Sequence, residues 1–155
     1  NHSVVKAALF LVAGNLLAAY RTKVIARVGG AVRLLPVSGL LWLAGLFAIT
    51  GSPPFGTFAS EFTMLREAFR QGRAGVAIVA LLALTIAFIG MSRAFLGMAL
   101  GRLPEGLAKI ARERWPAILP AIVLLGISLW LGLWIPGGLA PVLRQAAGQL
   151  GKGFP

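Results

Sequence analysis

The sequence predicts an all-α polytopic membrane protein with four transmembrane segments, the second of which is a discontinuous helix; the alternative is five segments. The first reason is composition. Of the 155 residues, 58% are apolar and only 12% are charged, against roughly 45–50% and about 25% in soluble domains. The mean hydropathy is +0.87. Such a chain is too apolar to be disordered, and a soluble globule could not cover this much apolar surface.

The second reason is the type and distribution of charge. Lys and Arg number 15 against 4 acidic residues, which gives a formal net charge of +11. In an apolar chain this excess is typical of basic loops between membrane spans, so we expect no nucleic-acid partner. The chain has no Cys, which excludes disulfides, thiol catalysis and cysteinyl zinc or Fe–S sites. With a single His and no phosphate-binding loop, the sequence predicts neither a metal site nor a cofactor.

The third reason is the spacing of the apolar runs along the chain. Residues 2–19 are long enough for one span of about 20 residues. A basic loop over 20–35 then ends at Pro36, a residue favoured at the first position of a helix. Residues 139–155 are polar to mildly amphipathic, and we expect them to form a tail outside the bilayer. The predicted membrane region covers 1–138, with helices at about 2–19, 36–70 (broken at 51–56), 74–100 and 117–136.

The beginning of the chain indicates a crossing that is cut just before its natural start. Asn1 stands in place of Met, and an apolar run follows within three residues. Because no basic region precedes this run, it is not a signal peptide. We therefore expect a further N-terminal part of the same subunit as a partner of this chain.

The number of crossings depends on residues 37–70. Two pieces of about 14 residues, each roughly 21 Å long as a helix, flank the sequence GSPPFG at 51–56; the first is apolar, and the second becomes charged at its far end. Two prolines and two glycines cannot continue a regular helix. Each piece is too short for a hydrocarbon core of about 30 Å, which favours one broken crossing over two. The positive charges of the loops are compatible with both topologies.

Lys6 lies inside the first predicted span. A charged residue there costs at least about 2.5–3.5 kcal/mol on insertion scales, so such residues usually mark ion paths, proton relays or partners. His2 lies four residues earlier and therefore on the same helical face, and His titrates nearest to neutral pH. The pair is a candidate proton relay. The alternative is that both side chains extend from the helix end to the lipid headgroups.

Glu61 is the single acidic residue in the apolar half of its segment, five residues after Gly56. A carboxylate near the beginning of a half-helix is stabilised by the helix dipole. Broken helices at membrane depth are tolerated where they are buried in protein or line a watery cavity, and transporters use them as ion sites. Glu61 is therefore a candidate site residue. The alternative is a helix-capping Glu beside a surface turn.

Two motifs resemble one known family. Residues 1–15 read NHSVVKAALFLVAGN and are similar to the His-x-x-x-Lys-Ala-x-Leu-Phe helix of antiporter-like proton-pumping subunits. These subunits occur in respiratory complex I, energy-converting membrane hydrogenases and Mrp-type cation/proton antiporters. Residues 51–62 read GSPPFGTFASEF and resemble the broken helix of the same family, usually Gly-x-Pro-Pro-(x)-Gly-x-Phe-x-(Ser)-Lys/Glu. Both segments look most like those of hydrogenase-4 component F and formate hydrogenlyase membrane subunits.

The resemblance implies a fold and site residues. The family fold is a bundle of about fourteen helices with inverted repeats, of which this chain would be the C-terminal third, and its broken helix crosses the membrane once. A proton path is implied through Lys6, Glu61 and His2, the positions that match the family's buried lysine, broken-helix charge and preceding histidine. The first-half glutamate and lysine of the family, and its central lysine, are not in this chain.

The resemblance also implies a function. The chain would be the C-terminal part of a proton-translocating, non-redox membrane subunit of a hydrogenase or complex-I-like oxidoreductase, without a catalytic centre of its own. The alternatives are a component of a cation/proton antiporter and a structural membrane scaffold. The implied partners are lipid, the N-terminal part of the subunit and other membrane subunits, including antiporter-like paralogues. The implied location is the prokaryotic inner membrane, as a multi-pass protein.

Overall fold

The computed structural model describes residues 1–107, 112–134 and 137–151, and the secondary structure within them is helical, without a strand. The predicted end of the last span at 135–136 and residues 152–155 lie outside the described residues. A 3₁₀ turn spans Ile25–Arg27. The helices are α1 (His2–Tyr20), α2 (Ala31–Leu34), α3 (Pro36–Ile49), α4 (Gly56–Arg70), α5 (Ala74–Leu100), α6 (Trp115–Leu133) and α7 (Leu139–Gly151).

Among the described residues, three helices are long and apolar enough to cross a membrane, namely α1, α5 and α6. Helix α3 is also apolar but has 14 residues. The prediction of an all-helical chain compatible with a polytopic membrane protein is thus confirmed. Of the 27 residues of α5, only Ala77 and Ala99 are buried. Its apolar side chains therefore face outward, as on a helix that is hydrophobic all round and spans a membrane.

The packed core lies between α1, α3 and α6. Each helix turns a stripe of apolar residues inward at helical spacing, and small residues allow close approach, as is usual in membrane bundles. At Gly45 on α3, for example, a Cβ would overlap the side chain of Leu9 on α1. The buried apolar side chains include Val5, Ala8, Val12 and Leu16 on α1, Leu46 and Ala48 on α3, and Ile118, Ala121 and Leu125 on α6.

The segments that follow α1 and α5 meet at one end of the bundle. Gly29 packs so closely against Arg102 that a Cβ at Gly29 would overlap the Arg102 carbonyl. The Tyr20 hydroxyl donates a 2.8 Å hydrogen bond to the Gly29 carbonyl, which ties the end of α1 to the same place. Residues 21–35 and 101–107 therefore lie at the same end of the molecule.

Helices α3 and α4 run in the same direction along α5. A groove between α4 and α5 is lined by Glu61 on α4 and by Val76 and Leu84 in the first half of α5. In the second half of α5, Phe95 stacks on Trp42 of α3 with ring centroids 4.2 Å apart. The start of α3 lies beside the end of α5, at the end of the molecule that contains residues 21–35 and 101–107. Because α5 has 27 residues, or about 40 Å of helix, it is long enough to pack against α4 with its first half and against α3 with its second half.

The C-terminal tail contains the helix Leu139–Gly151. The sequence predicts a polar to mildly amphipathic tail over 139–155 and assigns no element to it. An amphipathic composition is compatible with this helix. Its position relative to the bilayer stays a prediction.

Candidate functional site

The chain breaks between α3 and α4. Helix α3 ends at Ile49 and α4 begins at Gly56, because Pro53 and Pro54 have no N–H group to donate to the preceding turn. Gly51 adopts the left-handed conformation, with φ of 68°, and the Pro53–Pro54 peptide bond is cis. The predicted break at 51–56 therefore coincides with an irregular segment that separates two helices.

Groups inside the protein satisfy part of the backbone that the break leaves open. The Thr57 hydroxyl at the beginning of α4 donates a hydrogen bond to the Ala48 carbonyl near the end of α3. The Ser52 N–H donates to the Phe47 carbonyl at 2.9 Å. Both acceptors belong to the last turn of α3, whose carbonyls have no partner within the helix. Such internal partners are what a break at membrane depth requires.

Three glycines allow other parts of the chain to contact the broken segment. A Cβ at Gly51 would overlap the carboxylate of Glu61, and one at Gly56 would overlap the side-chain amide of Asn1. A Cβ at Gly132, near the end of α6, would overlap the backbone of the break itself. The beginnings of α1 and α4 and the end of α6 therefore converge on this segment.

Glu61 reaches back from α4 to the break. It is half-buried, and its carboxylate lies against the backbone at Gly51. His2 is close enough to act on this carboxylate electrostatically. On its other side, Glu61 lines a groove of about 490 Å³ between α4 and α5. The other residues that line this groove are apolar, namely Met64, Leu65, Ala68, Val76, Ala77, Ala80, Ala83 and Leu84.

Lys6 and His2 share a cavity of about 440 Å³ that is lined by residues of α1, α3 and α5. Their spacing of four residues places both on one helix face, and both side chains are exposed. The remaining lining residues are apolar or aromatic: Leu9, Phe10, Ala13, Trp42, Ile49 and Met91. His2 thus shares a cavity with Lys6, and its neighbour Asn1 contacts Gly56 at the beginning of the helix that carries Glu61. Glu61 is not among the residues that line this cavity.

A polar cluster at the other end of α3 is a feature that the sequence did not predict. The Glu113 carboxylate accepts hydrogen bonds from the Val37 N–H at 2.8 Å and the Ser38 N–H at 2.7 Å. The Asn15 side chain donates to the Ser38 hydroxyl at 3.3 Å and to the Ala117 carbonyl at 3.1 Å. These bonds connect α1, α3 and α6 to the loop before α6. A cavity of about 290 Å³ adjoins the cluster.

One signal in the sequence points to this cluster. Helix α3 begins with Pro36, and its N-cap is Leu35, which has no side-chain acceptor. The first N–H groups of a helix need acceptors from outside the helix. Because the N-cap supplies no such acceptor here, we expect one from a residue elsewhere in the chain. Nothing in the sequence identifies Glu113 as that acceptor.

Within the described ranges, no group of three or more His, Cys, Asp or Glu side chains is close enough to hold a metal ion. Buried side-chain atoms without a hydrogen-bond partner in those ranges are the Trp42 Nε1, the Ser92 Oγ and the Ser128 Oγ. The titratable side chains that the structure places near the interruption between α3 and α4 are the Glu61 carboxylate, the His2 imidazole and the Lys6 ammonium group.

The two motif-bearing segments identify the family. Residues 1–90 match the family described as NADH:quinone oxidoreductase/Mrp antiporter, TM. The chain belongs to this family. The matched region contains both the Lys6 helix and the broken helix with Glu61, so the resemblance drawn from those two motifs is confirmed.

Individual members of the NADH:quinone oxidoreductase/Mrp antiporter family extend the comparison. A Na(+)/H(+) antiporter subunit of Bacillus subtilis (strain 168) is 27% identical over 150 residues, which cover 95% of this chain and 30% of that protein. The hydrogenase-4 component F homolog of Methylacidiphilum infernorum (isolate V4) is 40% identical over 70 residues, which cover 45% of this chain and 15% of that protein.

A solved structure shares the fold. A chain of the Mrp complex from Dietzia sp. DQ12-45-1b superimposes with a TM-score of 0.68 at 25% identity, over 85% of this chain and 33% of that chain. The matched regions therefore cover between 15% and 33% of the length of these three relatives, so this chain corresponds to only part of each of them.

Proposed function

We propose that this chain is part of a proton-translocating, non-redox membrane subunit of a hydrogenase or complex-I-like oxidoreductase. Family membership supports a role in proton or cation translocation. The observation that carries the proposal is the position of Glu61, whose carboxylate lies against the broken segment at Gly51. A titratable group at a helix break is the arrangement that membrane transporters use for ion sites.

The proposed path runs through three side chains. Lys6 and His2 hold and pass protons along the α1 face, and His2 connects that face to Glu61. Glu61 exchanges protons with the extracytoplasmic side as the terminal relay. A relay requires side chains that can both accept and release a proton, and imidazole, ammonium and carboxylate groups all do so. Water in the cavity beside Lys6 would carry protons between groups that do not touch.

The exposed side chain of Lys6 indicates that another part of the complex covers this face of α1. An ammonium group that faces lipid within a span costs at least about 2.5–3.5 kcal/mol, and Lys6 is exposed on α1. We therefore propose that this face is covered by another part of the same subunit or by other membrane subunits of the complex, antiporter-like paralogues included. The proposed location is a prokaryotic inner membrane, with lipid around the remaining apolar surface.

The proposed topology has four crossings, with α3 and α4 together forming one. Two features support it: α3 and α4 run in the same direction along α5, and residues 21–35 lie at the same end as residues 101–107. If 37–70 crossed twice, the loop after α5 would be expected at the opposite end. In the proposed four-crossing topology, the tail that contains α7 lies on the face opposite residues 21–35.

A second candidate is a component of a sodium/proton antiporter. It is favoured by the similarity to the Na(+)/H(+) antiporter protein of Bacillus subtilis, which covers 95% of this chain. The two candidates differ in a measurable way, because an antiporter moves protons in response to a sodium gradient without any redox reaction. Co-purification with hydrogenase or oxidoreductase subunits supports the first candidate, and sodium-dependent proton movement supports the second.

The test is proton movement by the full subunit in its complex, reconstituted into vesicles with a pH-sensitive dye. Glu61→Gln and Lys6→Met each remove a titratable group and should lower proton movement about tenfold or more while assembly is unchanged. Glu67→Gln and Lys23→Met are the matched controls, since both residues lie away from the break and should leave proton movement unchanged. If both Glu61→Gln and Lys6→Met transport normally, the chain is a structural scaffold.

A further inference from the structure

We propose that Gly51 is a positioning residue for Glu61: the absence of a side chain at Gly51 creates the space in which the Glu61 carboxylate lies against the broken helix. The inference rests on the proposed function of Glu61 as a proton-transfer group. It goes further by assigning to one glycine the task of fixing where that group stands.

Two independent features of Gly51 support this assignment. Its φ of 68° is a backbone conformation that L-residues with a side chain rarely adopt. In addition, a Cβ at this position would lie 2.6 Å from the carboxyl carbon of Glu61 and would overlap the nearer carboxylate oxygen. The positive φ favours glycine for the turn, but only the overlap concerns Glu61. The two effects can therefore be separated by comparison with another glycine of positive φ that has no neighbouring side chain.

The clash involves the far end of a flexible side chain. The backbone of α4 therefore has no need to move when Gly51 gains a methyl group, because Glu61 can change rotamer and withdraw its carboxylate. The groove on the other side of Glu61 is lined by apolar residues, so a displaced carboxylate would leave its position beside the break. Substitution at Gly51 thus alters the position of the proton-transfer group without deleting it.

Gly72 provides the matched control. It has nearly the same backbone conformation, with φ of 71°, but a Cβ there would meet no atom within 4 Å. Gly72→Ala therefore reproduces the backbone strain of Gly51→Ala without any contact to Glu61. In reconstituted vesicles of the full complex, Gly51→Ala should lower proton movement about ten- to a hundredfold, the usual effect of displacing a reacting group by about 1 Å, and Gly72→Ala should leave it unchanged.

A compensating substitution identifies the contact itself. Asp is one methylene shorter than Glu, so Glu61→Asp retracts the carboxylate from the space that the new methyl group of Gly51→Ala would fill. We expect Gly51→Ala and Glu61→Asp each to lower proton movement, and the double variant to transport faster than Gly51→Ala alone. Independent sites would instead show multiplied losses, and that result would overturn the proposal.

The outcomes separate this inference from the proposed function. If Glu61→Gln abolishes proton movement but Gly51→Ala behaves like Gly72→Ala, Glu61 is a transfer group that Gly51 does not position, and the inference is wrong. If Glu61→Gln has no effect, the proposed function itself fails. If Gly51→Ala does not assemble although Gly72→Ala does, backbone strain alone is not the cause, and the double variant with Glu61→Asp must restore assembly because it removes the clash; failure to do so also overturns the inference.

Discussion

Removal of the Glu113 carboxylate should loosen the beginning of α3. Pro36 has no N–H, the N–H of the N-cap Leu35 donates to the Ala31 carbonyl at 2.8 Å, and the N–H groups of Val37 and Ser38 donate to Glu113. The four N-terminal positions that a helix cannot satisfy by itself are thus accounted for, two of them by this one residue. Glu113→Ala leaves both of these donors without an acceptor from the protein.

The expected magnitude follows from the two bonds. Hydrogen bonds to a charged group contribute about 1.5–3 kcal/mol each, and the loss of a helix N-cap costs about 0.5–2 kcal/mol. Glu113 is half-buried, so water can replace part of what is lost. We therefore expect Glu113→Ala to lower the free energy of unfolding by about 2–3 kcal/mol. Glu113→Gln keeps one acceptor oxygen without the charge and should lower it by about 1–2 kcal/mol.

The assay is denaturant unfolding of the chain in detergent micelles, combined with amide hydrogen exchange. Exchange should accelerate at Val37 and Ser38 and stay unchanged in the middle of α3. Glu105→Ala is the control: Glu105 is exposed in the same loop, and such surface changes stay within about 0.5 kcal/mol. A Glu113→Ala variant that unfolds like wild type, with unchanged exchange at both amides, would refute the argument that this carboxylate caps α3.

Three other changes test the packing and the topology. Thr57→Val removes the buried hydroxyl that bonds the Ala48 carbonyl and should lower the free energy of unfolding by about 1–3 kcal/mol; no loss would mean that water replaces this bond. Leu46→Ala truncates a side chain that is 2% exposed and should lower the free energy of unfolding by about 2–5 kcal/mol in the same assay. A decrease below about 0.5 kcal/mol would contradict the burial of Leu46 in the core. Cysteines that replace Arg27 and Gln149 should react with a membrane-impermeant reagent from opposite sides of the membrane. Labelling from one side would favour five crossings.

The break could be predicted from the sequence because its causes are local. Pro53 and Pro54 lack N–H groups wherever they occur, and a glycine nearby supplies the turn. The shared face of His2 and Lys6 is equally local, since it follows from the number of residues per helical turn. The number and type of the long apolar helices also follow from composition and length alone.

The cap on α3 and the surroundings of Glu61 could not be predicted in the same way. Glu113 is 76 residues from Val37 along the chain, and Gly132 meets the break from a different helix. Such contacts depend on how whole helices pack, and no local pattern of residue types encodes them. The sequence therefore identified Glu61 as a candidate but not the glycine against which its carboxylate lies.

The long, continuous α5 has a mechanical consequence for the two helices beside it. The chain is interrupted at 51–56, and few hydrogen bonds, such as that of the Thr57 hydroxyl to the Ala48 carbonyl, join α3 to α4 across the interruption. Helix α5 has no interruption over 27 residues and packs against both α3 and α4. A change in the angle between α3 and α4 would therefore alter the packing of α4 on α5, and with it the groove that contains Glu61.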